Sequence, residues 1–165
     1  MSNRQYPERP LVGVGGIVIE NGRVLLVRRG QEPLLGQWSI PGGLLEAGET
    51  LIAGVEREIL EETSLAVRVV DLVEAVERIF FDPADPAAPS SVLEASPVAS
   101  RPRYHYVILD YLCEQVSGEP KAGGDAAEVA FVLEDDLPRY ELSSLTLDVL
   151  HKAFAMAARR DAAAK

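Results

Sequence analysis

Three acidic residues, Glu58, Glu61 and Glu62, have the types and spacing that metal binding requires. In a helix, where successive side chains are about 100° apart, these three fall within a fan of roughly 100°. Like charges so arranged repel by roughly 0.2–0.5 kcal/mol per pair, and the negative end of the helix dipole disfavours them further. A divalent cation would offset this repulsion, because carboxylate oxygens are its preferred ligands. The alternative is an acidic helix face exposed to solvent.

The residues around the three acids favour the metal-binding interpretation. Residues 43–65 read GLLEAGETLIAGVEREILEETSL, which follows the pattern G-x5-E-x7-R-E-hydrophobic-x-E-E-x-S-hydrophobic. This segment resembles the Nudix box, with Ser64 in place of the last glycine of the box. The match comprises Gly43, Glu49, Arg57, Glu58, Ile59, Glu61, Glu62 and Leu65.

The resemblance implies a chemistry for the segment. Nudix enzymes split a nucleoside diphosphate linked to another group, X, using Mg²⁺ or Mn²⁺ held by glutamates of the box. By motif position, Glu58 and Glu62 are implied to be the principal metal ligands, and Glu61 to bind a further ion or its water shell. The backbone carbonyl of Gly42 is implied as another ligand. Such ions bridge phosphate oxygens, offset charge on the leaving group and help to generate the attacking hydroxide.

The loop and helix of the box are expected to act as one unit. Apolar residues at 51, 52, 55, 59 and 60 recur at helical spacing, so one side of the helix can dock on a sheet. Thr50 is predicted to be the N-cap, with Glu49 beside the positive helix end. Arg57 is expected to pair with Glu49 or Glu61 as an orienting residue of the catalytic set; the alternative is an ordinary surface ion pair. Ser64 costs about 1 kcal/mol if it takes the left-handed conformation typical of the family glycine, unless the turn has another shape.

The composition indicates one small enzyme domain spanning 1–165. The chain is long enough for a single core and short for two. Its 47% hydrophobic and 25% charged residues are ordinary for a globular protein. A net charge of −10 argues against a nucleic-acid polymer as partner, which requires a basic surface. It does not exclude a nucleotide whose phosphates are screened by metal ions.

The single cysteine, Cys113, cannot form an internal disulfide. A reducing compartment is therefore favoured, and we expect a cytoplasmic protein. The apolar run around Cys113 predicts a core residue rather than a nucleophile. The first ten residues lack the apolar core of a signal peptide, and the longest apolar stretch, 11–19, is too short to span a bilayer. No membrane partner is expected.

The order of strand and helix patterns predicts an α/β protein, a Nudix-type α/β/α sandwich with a mixed β-sheet between helices. Strands are predicted at 11–20 and 23–29, joined by a type I′ hairpin turn at Asn21-Gly22, and at 38–40, 103–114 and 128–133. Residues 66–81 are rich in Val and Ile with a broken alternation, which predicts one or two strands. Besides the box helix, a second amphipathic helix is predicted at 143–160, capped by Ser143. Residues 161–165 are expected to fray.

A proline-rich segment, 82–102, interrupts this compact pattern. It contains five prolines in 21 residues, which excludes a helix or a central strand. Loops of this length are uncommon in compact domains. The segment is predicted to be either a mobile surface loop or a flap that faces the substrate or a partner in a dimer. The resemblance implies that a homodimer is possible, because Nudix proteins are commonly dimers.

Three arginines and one tryptophan outside the box are candidates for substrate binding. Arg28, Arg29 and Arg103 are predicted to contact substrate phosphates, as the forked guanidinium suits. Arg28 and Arg29 have an equal alternative as the solvated end of a strand. Trp38, just before the Pro41 turn, either stacks on a base or packs beneath that turn.

Other polar residues are weighed as ligands or bases. The resemblance implies an additional acidic metal ligand or base near Glu128, for which the alternative is a surface acid at a strand edge. Asp125 and Glu119 are weaker candidates for the same role. His105 on a strand and His151 on the last helix are predicted to be packing or surface residues, although histidine is a common base.

The resemblance predicts a Mg²⁺-dependent pyrophosphohydrolase that acts on a small nucleotide, with an ADP-ribose-like substrate favoured. Pro83 lies near, but not at, the position where many ADP-ribose-cleaving members carry a proline. The first alternative is a MutT-like nucleoside triphosphate pyrophosphatase. The second is a Nudix module that binds nucleotides without turnover, which is disfavoured because such modules usually lose a box carboxylate.

Overall fold

The computed structural model describes residues 4–32, 34–84 and 100–164. In these ranges seven strands and two α-helices follow one another. They are β1 (Leu11–Glu20), β2 (Arg23–Arg29), β3 (Trp38–Ser39), β4 (Gly42–Leu44), α1 (Leu51–Thr63), β5 (Ala66–Phe80), β6 (Tyr104–Ser117), β7 (Ala126–Leu133) and α2 (Ser144–Ala163), with a 3₁₀ helix at Glu134–Tyr140. Most of the proline-rich segment 82–102 lies outside the described residues, so both interpretations of it stay predictions.

The strands form one mixed sheet in the order β3-β2-β1-β6-β5, in which β4 also pairs with β1 and β7 also pairs with β2. Only β1 and β6 run parallel among the described pairs. One end of β1 pairs with β2 at Ile19 and Glu20, whereas its other end pairs with β4 at Gly13, Val14 and Gly15. Two partners therefore share one edge of β1, and β4, the strand that enters the box, lies against the N-terminal half of β1.

The two helices cover opposite faces of the sheet. On one face Val55 and Ile59 of α1 are fully buried against Val14, Val18 and Leu25. On the other face Val149, Leu150 and Ala153 of α2 are buried with residues that include Ile17, Leu26 and Leu112. Burial of each large aliphatic side chain contributes roughly 1.5–3 kcal/mol. The predicted α/β/α sandwich with a mixed sheet is confirmed.

The turn and the helix cap that the sequence predicts outside the box are confirmed. Asn21 and Gly22 both have positive φ, 50° and 72°, as the predicted type I′ turn requires. Ser143 caps α2 by accepting a hydrogen bond from the Thr146 N–H at 3.2 Å. The helix continues to Ala163, and its last two residues, Ala162 and Ala163, are strong helix formers. That the tail from residue 161 frays stays a prediction.

The boundaries of the long strands differ from the prediction. Residues 66–80 form one strand, not two, and its broken alternation reflects register shifts between Ala66/Val67, Val69/Asp71 and Leu72/Glu74. Each extra residue in one strand turns the following side chains to the other face, which removes the period of two from the sequence. The partner strand β6 extends to Ser117, three residues past its predicted end, because β5 continues to pair with it there.

Candidate functional site

The helix α1 starts and ends at residues with capping conformations. The Thr50 side chain accepts a hydrogen bond from the Ala53 N–H at 3.2 Å, which confirms the predicted N-cap. Ser64 has φ 61° and ψ 15°, the left-handed conformation in which the helix ends, and its N–H donates to the Leu60 carbonyl. Ser64 therefore takes the strained alternative of the two that the sequence left open, at a cost of about 1–2 kcal/mol.

The acidic side of α1 lies against the backbone of β4. The Gly42 N–H donates to Glu62 Oε2 at 2.9 Å. The Glu58 carboxylate occupies the space that a Cβ on Gly43 would take, and a Cβ on Gly42 would meet the Val14 carbonyl oxygen. Two glycines are required here because the β1 backbone on one side and the carboxylate on the other leave no room for a side chain.

Arg57 connects several groups at the front of the site. Its guanidinium binds Glu49 through two hydrogen bonds, Nε to Oε1 at 2.8 Å and Nη2 to Oε2 at 2.9 Å. It also donates to Glu58 Oε1 at 2.7 Å and to the Leu44 carbonyl at 3.1 Å, whereas Glu61 Oε2 is only at 3.5 Å. The forked geometry fixes the orientation of Glu49 and Glu58 together. Of the two partners predicted for Arg57, Glu49 is the principal one.

The three buried or partly buried carboxylates have different pKa shifts. Hydrogen bonds from Arg57 lower the pKa of Glu49 to about 2. Burial raises the pKa of Glu58, against the attraction of Arg57. Burial also raises the pKa of Glu62 to about 7, although the Gly42 N–H and Arg29 favour the ionised form, and the charge of Glu58 raises it further. Glu61 differs from these, since 56% of its side chain is exposed.

These groups fit a hard divalent cation in their chemistry. Glu58 and Glu62 are neighbouring carboxylates that are both partly removed from water. Burial disfavours their ionised form, and a bound dication would favour it. Within the described ranges, no three acidic, histidine or cysteine side chains converge as a complete metal site. Glu58 instead contacts Arg57, and Glu62 contacts the Gly42 N–H. A metal ion would therefore compete with hydrogen bonds that already hold both carboxylates.

A cavity of about 270 Å³ opens beside Gly42 and Gly43, on the face of the sheet opposite α1. Its apolar and aromatic walls include Trp38, Ile40, Phe80, Tyr106 and Ile108. Its polar lining includes Arg4, Arg29, Arg78, Asp110, Ser143 and Thr146. Concave, mainly apolar pockets with a few polar groups are the usual form of small-molecule sites. The Gly42–Gly43 backbone thus separates the box carboxylates from a cavity that is suited to an organic ligand.

The family of the chain follows from its sequence and fold together. The model of the NUDIX domain family matches residues 9–152. The chain belongs to the NUDIX family. The resemblance drawn from residues 43–65 is thereby confirmed, and the elements on both sides of the box belong to the same domain.

Similar proteins include several with related names. The ADP-ribose pyrophosphatase of Methanocaldococcus jannaschii is 33% identical over 130 residues, which cover 79% of this chain and 66% of the relative. The putative ADP-ribose pyrophosphatase YjhB of Bacillus subtilis is 30% identical over 134 residues, which cover 81% of this chain and 54% of the relative. The NUDIX chain described here thus spans about two thirds or less of the length of these curated relatives.

Solved structures agree with the fold. A MutT NUDIX hydrolase from Burkholderia pseudomallei superposes with a TM-score of 0.68 at 30% identity, covering 88% of this chain and 98% of that one. The NUDIX domain of Shewanella oneidensis NrtR, complexed with ADP ribose, has a TM-score of 0.66 at 19% identity over 92% of this chain and 90% of that one. At that identity the second similarity shows the fold alone.

Two of the residues predicted for substrate or metal binding contact each other outside the cavity. Arg28 and Glu128 are opposite one another on β2 and β7 and form an ion pair at 3.0 Å, with side chains 44% and 52% exposed. This placement agrees with the surface alternative, and the roles of Arg28 in substrate binding and of Glu128 in metal binding stay predictions. Arg29, the next residue on β2, lines the cavity and attracts the Glu62 carboxylate. Successive side chains of a strand point to opposite faces, so only one arginine of the pair reaches the cavity.

Asp125, a weaker candidate than Glu128 in the sequence, lies near enough to the box carboxylates to affect their pKa values. Its charge raises the pKa of both Glu58 and Glu62. The reason is that the Lys121 and Gly123 N–H groups donate to the Thr63 and Glu62 carbonyls, which fastens the preceding loop to the end of α1. Helix C-termini leave such carbonyls without intrahelical partners.

The remaining candidates lie in other places. Trp38 lines the cavity and also packs edge-on against Tyr140, with ring centroids 5.1 Å apart, so the packing and ligand alternatives are compatible. Arg103 lies over the Tyr104 ring at 5.5 Å and is not among the lining residues. His151 pairs with Glu134 on the surface. Cys113 is a buried core residue as predicted, and burial raises the pKa of its thiol to about 12.

Several polar residues of the cavity were not among the candidates named from the sequence, and they include Arg78, Asp110 and Thr146. Asp110 carried a usable signal, because it is the only charged residue in the otherwise apolar run from Val107 to Cys113. Buried charges in strands are rare unless a partner satisfies them. Arg78 and Thr146 carried no such signal, since both lie in amphipathic segments with many exposed polar residues.

No helix of the described residues is both long enough and apolar enough to cross a membrane.

Proposed function

We propose that this NUDIX domain hydrolyses the diphosphate bond of a nucleoside diphosphate linked to another group, with Mg²⁺ or Mn²⁺ and with ADP-ribose as the first substrate to test. The observation that carries the proposal is the position of Glu58 and Glu62. Both desolvated carboxylates lie against the Gly42–Gly43 backbone, at the side of a cavity that contains Arg29. An acidic site and a cationic, partly aromatic cavity in contact are suited to a diphosphate that bridges them.

Each group has a role that follows from its surroundings. Glu58 and Glu62 would hold the metal ion, with Glu61 at the exposed side and Asp125 as a nearby fourth acid. When bound, the ion supplies charge neutralisation at the diphosphate and lowers the pKa of a water molecule. Arg57 positions Glu58 and Glu49, which keeps one carboxylate directed at the site. Arg29 lines the cavity, where its guanidinium would donate to a phosphate oxygen.

The relatives support the same substrate class. Two proteins that are 30% or more identical over about four fifths of this chain are named ADP-ribose pyrophosphatase and putative ADP-ribose pyrophosphatase. A MutT-like protein from Streptomyces ambofaciens is 47% identical over 62 residues, which cover 37% of this chain and 38% of the relative. Nucleoside triphosphates stay the second candidate. Binding without turnover stays a third alternative, disfavoured because Glu49, Glu58, Glu61 and Glu62 are all present. The cytoplasmic location and the homodimer stay predictions.

A substrate panel with the purified protein tests the proposal. ADP-ribose, other nucleoside diphosphate sugars and nucleoside triphosphates are incubated with Mg²⁺, with Mn²⁺ or with EDTA, and products are separated by chromatography. Water added across the P–O–P bond of ADP-ribose must yield AMP and ribose 5-phosphate in equal amounts. Glu62→Gln should reduce the rate at least 100-fold, while Glu56→Gln on the same helix should not change it. Turnover that is undiminished in EDTA or in Glu62→Gln would refute the proposal.

A further inference from the structure

Asp110 is a buried carboxylate at the floor of the cavity. It lies on β6 directly opposite Gly15 of β1, and only 5% of the residue is exposed. The carboxylate fills the space where a side chain at position 15 would be, so the glycine permits its approach. Burial raises the pKa of Asp110 to about 6, although the nearby Arg78 favours the ionised form.

The Asp110 carboxylate accepts no hydrogen bond from the described residues. Among residues 4–32, 34–84 and 100–164, no group donates to its carboxylate and no ion pair includes it. Arg78 attracts it but donates elsewhere, to Thr146 Oγ1 at 2.6 Å and to Ser143 Oγ at 3.2 Å. A buried carboxylate without a hydrogen bond is costly, so a site of this kind normally has a donor from protein, water or ligand.

The walls around Asp110 indicate the kind of donor. Trp38 and Tyr106 supply flat aromatic surfaces, and Ile40 and Ile108 supply aliphatic ones. A volume of about 270 Å³ is near the lower end of ligand pockets, which suits one ring system rather than a whole dinucleotide. Aromatic and aliphatic walls around a carboxylate acceptor match the edge of a planar nitrogen heterocycle. The hydroxyl groups of Ser143 and Thr146 are already bound to Arg78, whereas the Asp110 carboxylate has no donor among the described residues.

We propose that Asp110 selects the substrate by accepting a hydrogen bond from the exocyclic amine of a purine base held in this cavity. The inference rests on the proposed function for placing a nucleotide there. The diphosphate then extends past Gly42 and Gly43 toward the box carboxylates. Arg78, fixed by Ser143 and Thr146, stays beside Asp110 as a positioning residue that favours its charged form.

The test measures binding in EDTA, where no turnover occurs, by calorimetry or by the fluorescence of Trp38. Two ligand pairs differ chiefly at the amine: AMP against purine riboside 5′-monophosphate, and GMP against IMP. A hydrogen bond to a charged group corresponds to about 10- to 100-fold in affinity. The wild type should therefore bind the amine-bearing member of at least one pair about 10- to 100-fold more tightly.

The decisive quantity is how the affinity ratio between the two members of a ligand pair differs between the wild type and the variants. In Asp110→Ala the ratio should fall to near one, and in Asp110→Asn, which keeps the size of the side chain, it should fall in between. Asp148→Asn makes the same change on the exposed side of α2 and should keep the wild-type ratio. Thermal unfolding of each variant shows whether it is folded. If Asp110→Ala does not fold, the comparison between the wild type and Asp110→Asn still tests the inference.

Three outcomes would overturn the inference: no binding of either pair, a wild-type ratio near one for both, or a ratio that is unchanged in the Asp110 variants. The result is separable from that of the substrate panel. Amine-dependent binding without hydrolysis would refute only the catalytic proposal, whereas hydrolysis without amine dependence would refute only the role of Asp110.

Discussion

Replacement of Glu62 by glutamine should stabilise the metal-free protein in a pH-dependent way. Glu62 is only 5% exposed, and burial is the main cause that raises its pKa to about 7 from 4.5. Glutamine keeps the side-chain length and an oxygen that can accept the Gly42 N–H, but it carries no charge. The variant therefore removes the free-energy cost of burying a charged carboxylate and retains most of the side-chain packing.

The magnitude and its sign follow from the two pKa values. Because the folded-state pKa is raised, the native protein binds more protons than the unfolded chain between pH 4.5 and 7. The free energy of unfolding of the wild type thus falls as pH rises through this window. At about 1.4 kcal/mol per pH unit the full effect is about 3 kcal/mol above pH 7. The stability advantage of Glu62→Gln should accordingly be small at pH 5 and about 2–3 kcal/mol at pH 8.

Urea unfolding in EDTA at pH 5 and pH 8 measures this difference. Glu56→Gln, on the same helix, is the matched control and should show no such pH dependence. Mg²⁺ should then reverse the order at pH 8, because a ligand that binds only the native state stabilises it by mass action and needs the ionised carboxylate. If Glu62→Gln is no more stable than the wild type at pH 8 in EDTA, the carboxylate is not buried as a costly charge. If Mg²⁺ stabilises the variant as much as the wild type, Glu62 does not hold the ion.

The other predictions concern single positions around the site. Arg57→Lys cannot reproduce the two-point contact with Glu49, so kcat should fall about 10- to 100-fold with little change in thermal unfolding. Ser64→Gly removes the strain of φ 61° and should raise the free energy of unfolding by about 1 kcal/mol in urea titrations, without altering turnover. Gly43→Ala places a methyl group where the Glu58 carboxylate lies, so Mg²⁺-dependent activity should fall at least 10-fold; unchanged activity would contradict the close approach. Asp125→Asn should weaken the activation by Mg²⁺ measured in a metal titration, whereas Glu128→Gln should leave it unchanged; the reverse result would favour Glu128 as the additional metal ligand.

Much of the local structure was predictable because its causes are local. The N-cap at Thr50 and the turn at Asn21-Gly22 depend on residues within four positions of each other, and both are confirmed. The pattern of Arg57, Glu58, Glu61 and Glu62 places these residues on one side of a helix regardless of the rest of the chain. The confirmed NUDIX fold also follows from the spacing of the box.

The functional ranking of residues outside the box was less predictable. Arg28 and Arg29 are equivalent in the sequence, and only the pairing of β2 with β7 assigns Arg28 to a surface ion pair and Arg29 to the cavity. Asp125 affects the pKa of Glu58 and Glu62 because the loop at 121–124 is bound to the end of α1, a contact that the sequence pattern did not indicate. The cavity residues Arg78 and Asp110 come from strands whose pairing includes several register shifts. Such shifts decide which face a side chain occupies, and no short-range pattern records them.

Three properties can be read from the sequence alone: which acids share one side of α1, the residue that caps the start of that helix, and the family of the chain. All of these depend on spacing along one segment, where the helical repeat converts sequence distance into spatial distance. The position of Glu58 and Glu62 against the Gly42–Gly43 backbone, beside a cavity with Arg29 and Asp110, is visible only in the folded protein. That arrangement depends on β1 sharing one edge between β2 and β4 and pairing in parallel with β6, contacts between residues far apart in the chain whose register is set by packing of the whole sheet.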